Sequence, residues 1–139
     1  MIIIIVVIAG MYFMYHIIKE LIDENAYLRG QSLAQKISRT VQVINDKVYN
    51  GMGDIIDQEK RSFSLYQKGG DQIIRFQYET GALIITWRYL LFHLEVAHEK
   101  VFHNIRNLSL EQQEKIAIQM IHEMEEVIDS HKRVVVGVP

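Results

Sequence analysis

The run MIIIIVVIAGMYFMYHII, Met1–Ile18, decides how the rest of this 139-residue chain is read. From Ile2 to Ile18 nothing is charged, and His16 is the only clearly polar side chain. As a helix rising about 1.5 Å per residue, the run spans roughly 25 Å, a little short of a ~30 Å hydrocarbon core. Met1 at one end and the apolar stem of Lys19 at the other extend that reach by snorkelling. The unbroken Ile and Val of Ile2–Ile8 also suit a buried strand. A cleaved leader would need a basic start and a small-x-small site, and Ala9-Gly10 comes too early for one. Residues 1–18 are therefore expected to form a single transmembrane helix with the lipid bilayer as its partner. Tyr12, Phe13, Tyr15 and His16 are expected to anchor it at one interface. Lys19, Arg29 and Lys36 follow the block, so the positive-inside rule favours a cytoplasmic body.

Working outward, residues 19–58 read as an amphipathic stalk helix. Ala26, Gly30, Leu33, Ile37, Val41, Ile44, Val48, Met52 and Ile55 recur at steps of three and four. This eleven-residue period, about 3.67 residues per turn, holds one stripe on one face. The stripe suits either packing on the protein's own domain or self-association into a parallel bundle. Continuity of phase predicts one rod from Met1 to about Asn50, stopped by Asn50-Gly51 and Gly53. Asp54–Lys60 reads as a short further turn.

Residues 59–139 read as a small α+β domain. Phe63 and Leu65 alternate with serines, and Ile74, Phe76 and Tyr78 alternate with Ile73, Arg75 and Gln77. Lys68-Gly69-Gly70-Asp71 and Thr80-Gly81 are turns, and Ala82–Tyr89 is rich in Ile, Thr, Trp and Tyr. A three- to four-stranded antiparallel meander follows. Leu90–Ile105 fits either period, and the reading adopted is a strand continuing to about Ala97. Ser109 and Gln112 form a capping box. They open an amphipathic helix whose stripe is Ile116, Ala117, Met120, Ile121, Met124, Val127 and Ile128. It is expected to pack on the sheet, with Val134–Val138 a short edge strand or tail.

Composition removes several classes of function. Fifteen basic against seventeen acidic residues, net −2, give no footprint for nucleic acid. The absence of cysteine excludes disulfides and thiolate chemistry. A metal would have to use His93, Glu95, His98 or His103, the densest group of candidate ligands. On a helix Glu95 and His98 would share a face, as in di-iron bundles, but a second Glu-x-x-His is missing. His103 comes one residue late for a helical zinc-protease motif. On a strand the cluster scatters, so no metal, cofactor or catalytic residue is assigned.

The expectation is a non-enzymatic, single-pass membrane-anchored structural or assembly subunit. Its small domain would mediate protein–protein interaction, by self-association or with other membrane-complex subunits. The outline of an apolar-then-amphipathic N-terminal helix before an antiparallel sheet is similar to pilin-type fibre subunits. Those carry a glutamate near the start of that helix, where this chain has Ile5. A membrane-anchored sensory or ligand-binding domain is the remaining alternative.

Overall fold

The computed structural model describes residues 1–27, 31–91 and 93–136. The chain is α+β: an apolar N-terminal helix, two short helices, a five-stranded antiparallel sheet and a long C-terminal helix. The first helix, α1, runs Ile2–Tyr27. It is followed by α2 (Leu33–Lys36) and α3 (Ser38–Val48).

The uninterrupted rod expected from Met1 to Asn50 is not formed. Gln31 and Ser32 lie outside any helix. The Leu33 N–H donates to the Lys60 carbonyl across the fold. Ser32 opens a new helix, its N–H donating to Gln35 Oε1 at 3.0 Å, the reciprocal half of a capping box. Part of the eleven-residue stripe still exists, turned inward. Leu33, Ile37 and Ile44 are fully buried and Val41 nearly so. These residues belong to the domain's own core, so a parallel bundle cannot be built on them. Of the remaining stripe positions, Gly30 lies outside the described residues, and Met52 and Ile55 come after α3 has ended and are exposed.

The stop at Asn50-Gly51 is observed. Both residues take the left-handed conformation, at φ 53° and 79°. The N–H groups of Tyr49 and Gly51 both donate to the Asn45 carbonyl, satisfying the helix end. Residues 54–60 do not make the expected turn of helix. Asp54–Ile56 is instead a short edge strand, β1.

The other strands are β2 (Ser62–Tyr66), β3 (Gln72–Glu79), β4 (Ala82–Leu91) and β5 (Leu94–Phe102), in spatial order β1-β2-β3-β4-β5. The meander thus has five strands rather than three or four. Two differences account for this. β1 was not foreseen, and the strand expected to continue to Ala97 folds back on itself. Leu91 pairs with Leu94, and His93 just before that partner turns the chain at φ 66°. The Thr80-Gly81 turn joins β3 to β4 as expected, both residues at positive φ, which matches the sheet's twist.

Alternation places Phe63, Leu65, Ile74, Phe76, Tyr78, Leu83, Ile85, Trp87 and Val96 on one face. Phe63 and Phe76 are direct partners, with rings stacked at 4.7 Å. This face is roofed by α2, α3 and the C-terminal helix α4 (Leu110–Val136). Ile116, Ala117, Met120 and Met124 supply the buried stripe of α4. The Ser109–Gln112 capping box is present in both directions, at 2.9 and 3.2 Å. Residues 134–136 continue α4 rather than forming an edge strand, and residues 137–139 lie outside the described ones.

Two polar ties set the helices in place. Thr40 Oγ1 donates to the Gln113 carbonyl at 2.9 Å, joining α3 to α4 in the interior. Tyr49, at the end of α3, reaches across the sheet's end. Its buried hydroxyl lies 3.1 Å from the Leu65 carbonyl and 3.0 Å from that of Gln72. One phenolic proton serves two acceptors. Burial, and then the nearby Tyr66, push the Tyr49 hydroxyl up to about 12.

Candidate functional site

Two surfaces lack the cover that burial provides elsewhere. The first is α1. Its segment Ile2–Lys19 has a mean hydropathy of 2.1 over 18 residues, and none of it is buried against the rest of the protein. Every side chain from Met1 to Lys19 is exposed, including Ile2 and Ile3 at nearly 80%. Such a helix is long and apolar enough to span a bilayer.

The second is the outer face of the sheet. The alternation that sends Phe63, Ile74 and Ile85 inward sends Ser64, Arg75, Thr86 and Glu99 outward, in one row across four strands. Ile73 and Arg88 form the neighbouring row. Together with Asp57 and Gln77 these residues line a concavity of about 490 Å³. Ile73 and Arg88 also border a shallower hollow of about 380 Å³, which runs on to Tyr66, Tyr89 and Leu90. The surface is mixed in charge. Arg88 Nε lies 3.5 Å from Glu95 Oε1, an exposed pair worth little energetically. Arg75 has no ion-pair partner among the described residues.

The candidate metal ligands are dispersed by the sheet. His93 sits in the β4–β5 loop. Glu95 is on the outer face with Arg88. His98 is on the opposite face, turned toward α4, and His103 follows the end of β5. Among the described residues, no three His, Asp or Glu side chains come together as a metal site. What His98 does reach is Glu123 on α4, with Nε2 3.3 Å from Oε2, while Lys100 Nζ lies 3.3 Å from Oε1. Burial raises the Glu123 carboxyl. Hydrogen bonds and positive charge from His98 and Lys100 outweigh that and leave it below its ordinary value. The cluster clamps the edge strand to the helix that covers it.

No protein-family model, no curated protein and no solved structure matches this chain.

The outer-face residues escaped notice as a group because no motif marks them. Their signal was the alternation itself. Once Ile74, Phe76 and Tyr78 are assigned inward, Arg75 and Gln77 must face out. The arrangement offers hydrogen-bond donors and acceptors across a shallow hollow flanked by apolar Ile73 and Leu90. Such a surface suits docking of a folded or extended partner.

Proposed function

We propose that this chain is a non-enzymatic, single-pass membrane-anchored subunit. Its α+β domain presents the uncovered sheet face to another protein, as part of an oligomer or larger complex. The observation that carries this reading is the complete exposure of Ile2–Ile18 beside a domain whose core is closed without it. Seventeen consecutive uncharged residues in water would be strongly unfavourable at about 25 cal/mol per Å² of apolar area, and a bilayer removes that cost. Lys19, Arg29 and Lys36 after the span support a cytoplasmic side for the domain under the positive-inside rule.

The size of the outer concavity supports a second reading, a membrane-anchored ligand-binding or sensory domain, because about 490 Å³ falls within the range of small-molecule sites. A pilin-type fibre subunit is less well supported. The helical layer over this sheet comes from α2, α3 and α4 rather than from an extension of α1.

The experiment is fractionation of the full-length chain. It is expected to resist carbonate washing and to be released by detergent. Quantitative recovery in the carbonate supernatant would overturn the membrane assignment. Comparing proteins that co-purify with the native chain and with Arg75→Glu then tests the docking face. A partner set unchanged by the charge reversal would remove that face from the proposal.

A further inference from the structure

The polar side chains of α1 are not spread evenly around it. From Ile2 to Lys19, those able to form hydrogen bonds are Tyr12, Tyr15, His16 and Lys19. At about 100° per residue they fall within a single arc of about 100°, in line with Ile5 and Ile8. Val6, Gly10, Phe13 and Ile17 lie across the helix. One turn apart, the Tyr12 and His16 rings stack with centroids 6.4 Å apart and planes only 5° from parallel, forming a flat slab along the face.

Depth separates this face from an ordinary aromatic belt. Tyr12 lies seven residues before Lys19, roughly 10 Å further into the span. Helical Cα–Cβ bonds tilt toward the N-terminus, so the Tyr12 hydroxyl is carried away from the Lys19 interface rather than toward it. Headgroup anchoring accounts for Tyr15 and His16 but not for Tyr12. Among the described residues, no group hydrogen-bonds the Tyr12 hydroxyl. A hydroxyl facing hydrocarbon is unfavourable until another polar group meets it.

We propose that this face is where α1 pairs, in parallel, with α1 of a second copy of the chain. The inference rests on the membrane reading of α1 and names the surface through which it associates. Ile5, Ile8, Tyr12, Tyr15 and Lys19 are spaced three and four residues apart, the seam of a left-handed helix pair. In a two-fold pair each face meets itself, so the face must be its own complement. Tyrosine satisfies that condition because its hydroxyl both donates and accepts, and an imidazole ring adds an acceptor or a donor. Tyr12 of one copy therefore finds a polar partner in Tyr12 or His16 of the other. At the C-terminal end of the span, the two Lys19 ammonium groups remain hydrated at headgroup level.

The test uses the full-length chain in phosphatidylcholine vesicles. Because the chain has no cysteine, single-cysteine variants report proximity without background. Oxidation is expected to cross-link Ile5→Cys, Ile8→Cys and Tyr15→Cys, and to leave Val6→Cys, Gly10→Cys and Ile17→Cys monomeric. Tyr12→Phe keeps the ring and removes the hydroxyl. Loss of two symmetric Tyr12–His16 hydrogen bonds is expected to weaken the dimer about eightfold, and loss of a single bond between the two Tyr12 hydroxyls about threefold. Cross-links without this periodicity, on the opposite face, or absent altogether would overturn the pairing while leaving the membrane anchor intact. A chain that fails to stay with the vesicles after carbonate washing would instead overturn the anchor itself.

Discussion

Replacing Tyr49 with Phe is expected to change both the stability of the domain and its dependence on alkaline pH. The ring is almost wholly buried at the end of α3, and its hydroxyl is shared between the Leu65 and Gln72 carbonyls at 3.1 and 3.0 Å. Removing the hydroxyl deletes one effective hydrogen bond and leaves two acceptors without it, at a cost of about 1–1.5 kcal/mol near pH 8. The pH term has the opposite sign. The folded-state value of the Tyr49 hydroxyl is pushed from 10.0 up to about 12. The unfolded chain therefore releases this proton first. Stability from Tyr49 is fully present below pH 10 and is lost as pH rises toward 12. By linkage, about 1 kcal/mol is gone by pH 11. The Phe variant has no such group and escapes that loss. Urea unfolding of the full-length protein in detergent, followed by circular dichroism, should show a gap between the two proteins that closes near pH 11. Titration of the lysines and of the tyrosines other than Tyr66 is common to both and cancels in the difference. A gap that stays constant from pH 8 to pH 11 would refute the assignment of a buried, doubly accepted hydroxyl.

Gly53→Ala is expected to cost about 1–3 kcal/mol, read as a shift in urea midpoint, because overpacking here has nowhere to relax. An added Cβ would stand 2.7 Å from Asn45 Oδ1 and 2.9 Å from Tyr49 Cδ2, and both groups are tied by hydrogen bonds; an unchanged midpoint would contradict that geometry. Glu123→Gln is expected to cost less than about 1 kcal/mol at neutral pH, as for a partly exposed ion pair. It should also flatten the acid limb of the stability curve. The Glu123 value is lowered in the fold, so its contribution is present above the ordinary carboxylate range and disappears as pH falls through the depressed value. Parallel acid limbs for the two proteins would show that the His98 and Lys100 contacts do not form in solution.

Much of the fold was legible from period and turn chemistry. Phe63, Leu65, Ile74, Phe76 and Tyr78 face inward as alternation demands, Thr80-Gly81 turns the chain, and Ser109 caps α4 through Gln112. The misreadings have identifiable causes. The stripe from Ala26 to Val48 keeps a helical phase through a place where the helix is broken, so periodicity alone cannot find the break. A signal did exist: Ser32-Leu33-Ala34-Gln35 repeats the serine-x-x-glutamine pattern recognised at Ser109. The β4–β5 turn was invisible because it uses His93 at positive φ, where Gly or Asn would have announced it. Three residues of β1 are too few to establish an alternation. Val134–Val136 looks like a strand by composition, yet it extends a helix already propagating from Leu110. The outer-face row of Arg75, Thr86 and Glu99 depends on register between strands, which a single segment does not reveal.

Gln72 joins two parts of the domain that are far apart in the chain. Its carbonyl takes the Tyr49 hydroxyl, and its side-chain oxygen takes the Trp87 indole N–H at 2.9 Å. Trp87 is the only tryptophan in the chain, and α1 contains none. Light absorbed at the red edge of the spectrum is therefore captured by the domain alone. The protein carries an intrinsic optical gauge, placed at the joint between α3 and the sheet and blind to α1. Loosening of that joint registers as a change in emission, so the domain can be followed without a label and without a signal from α1.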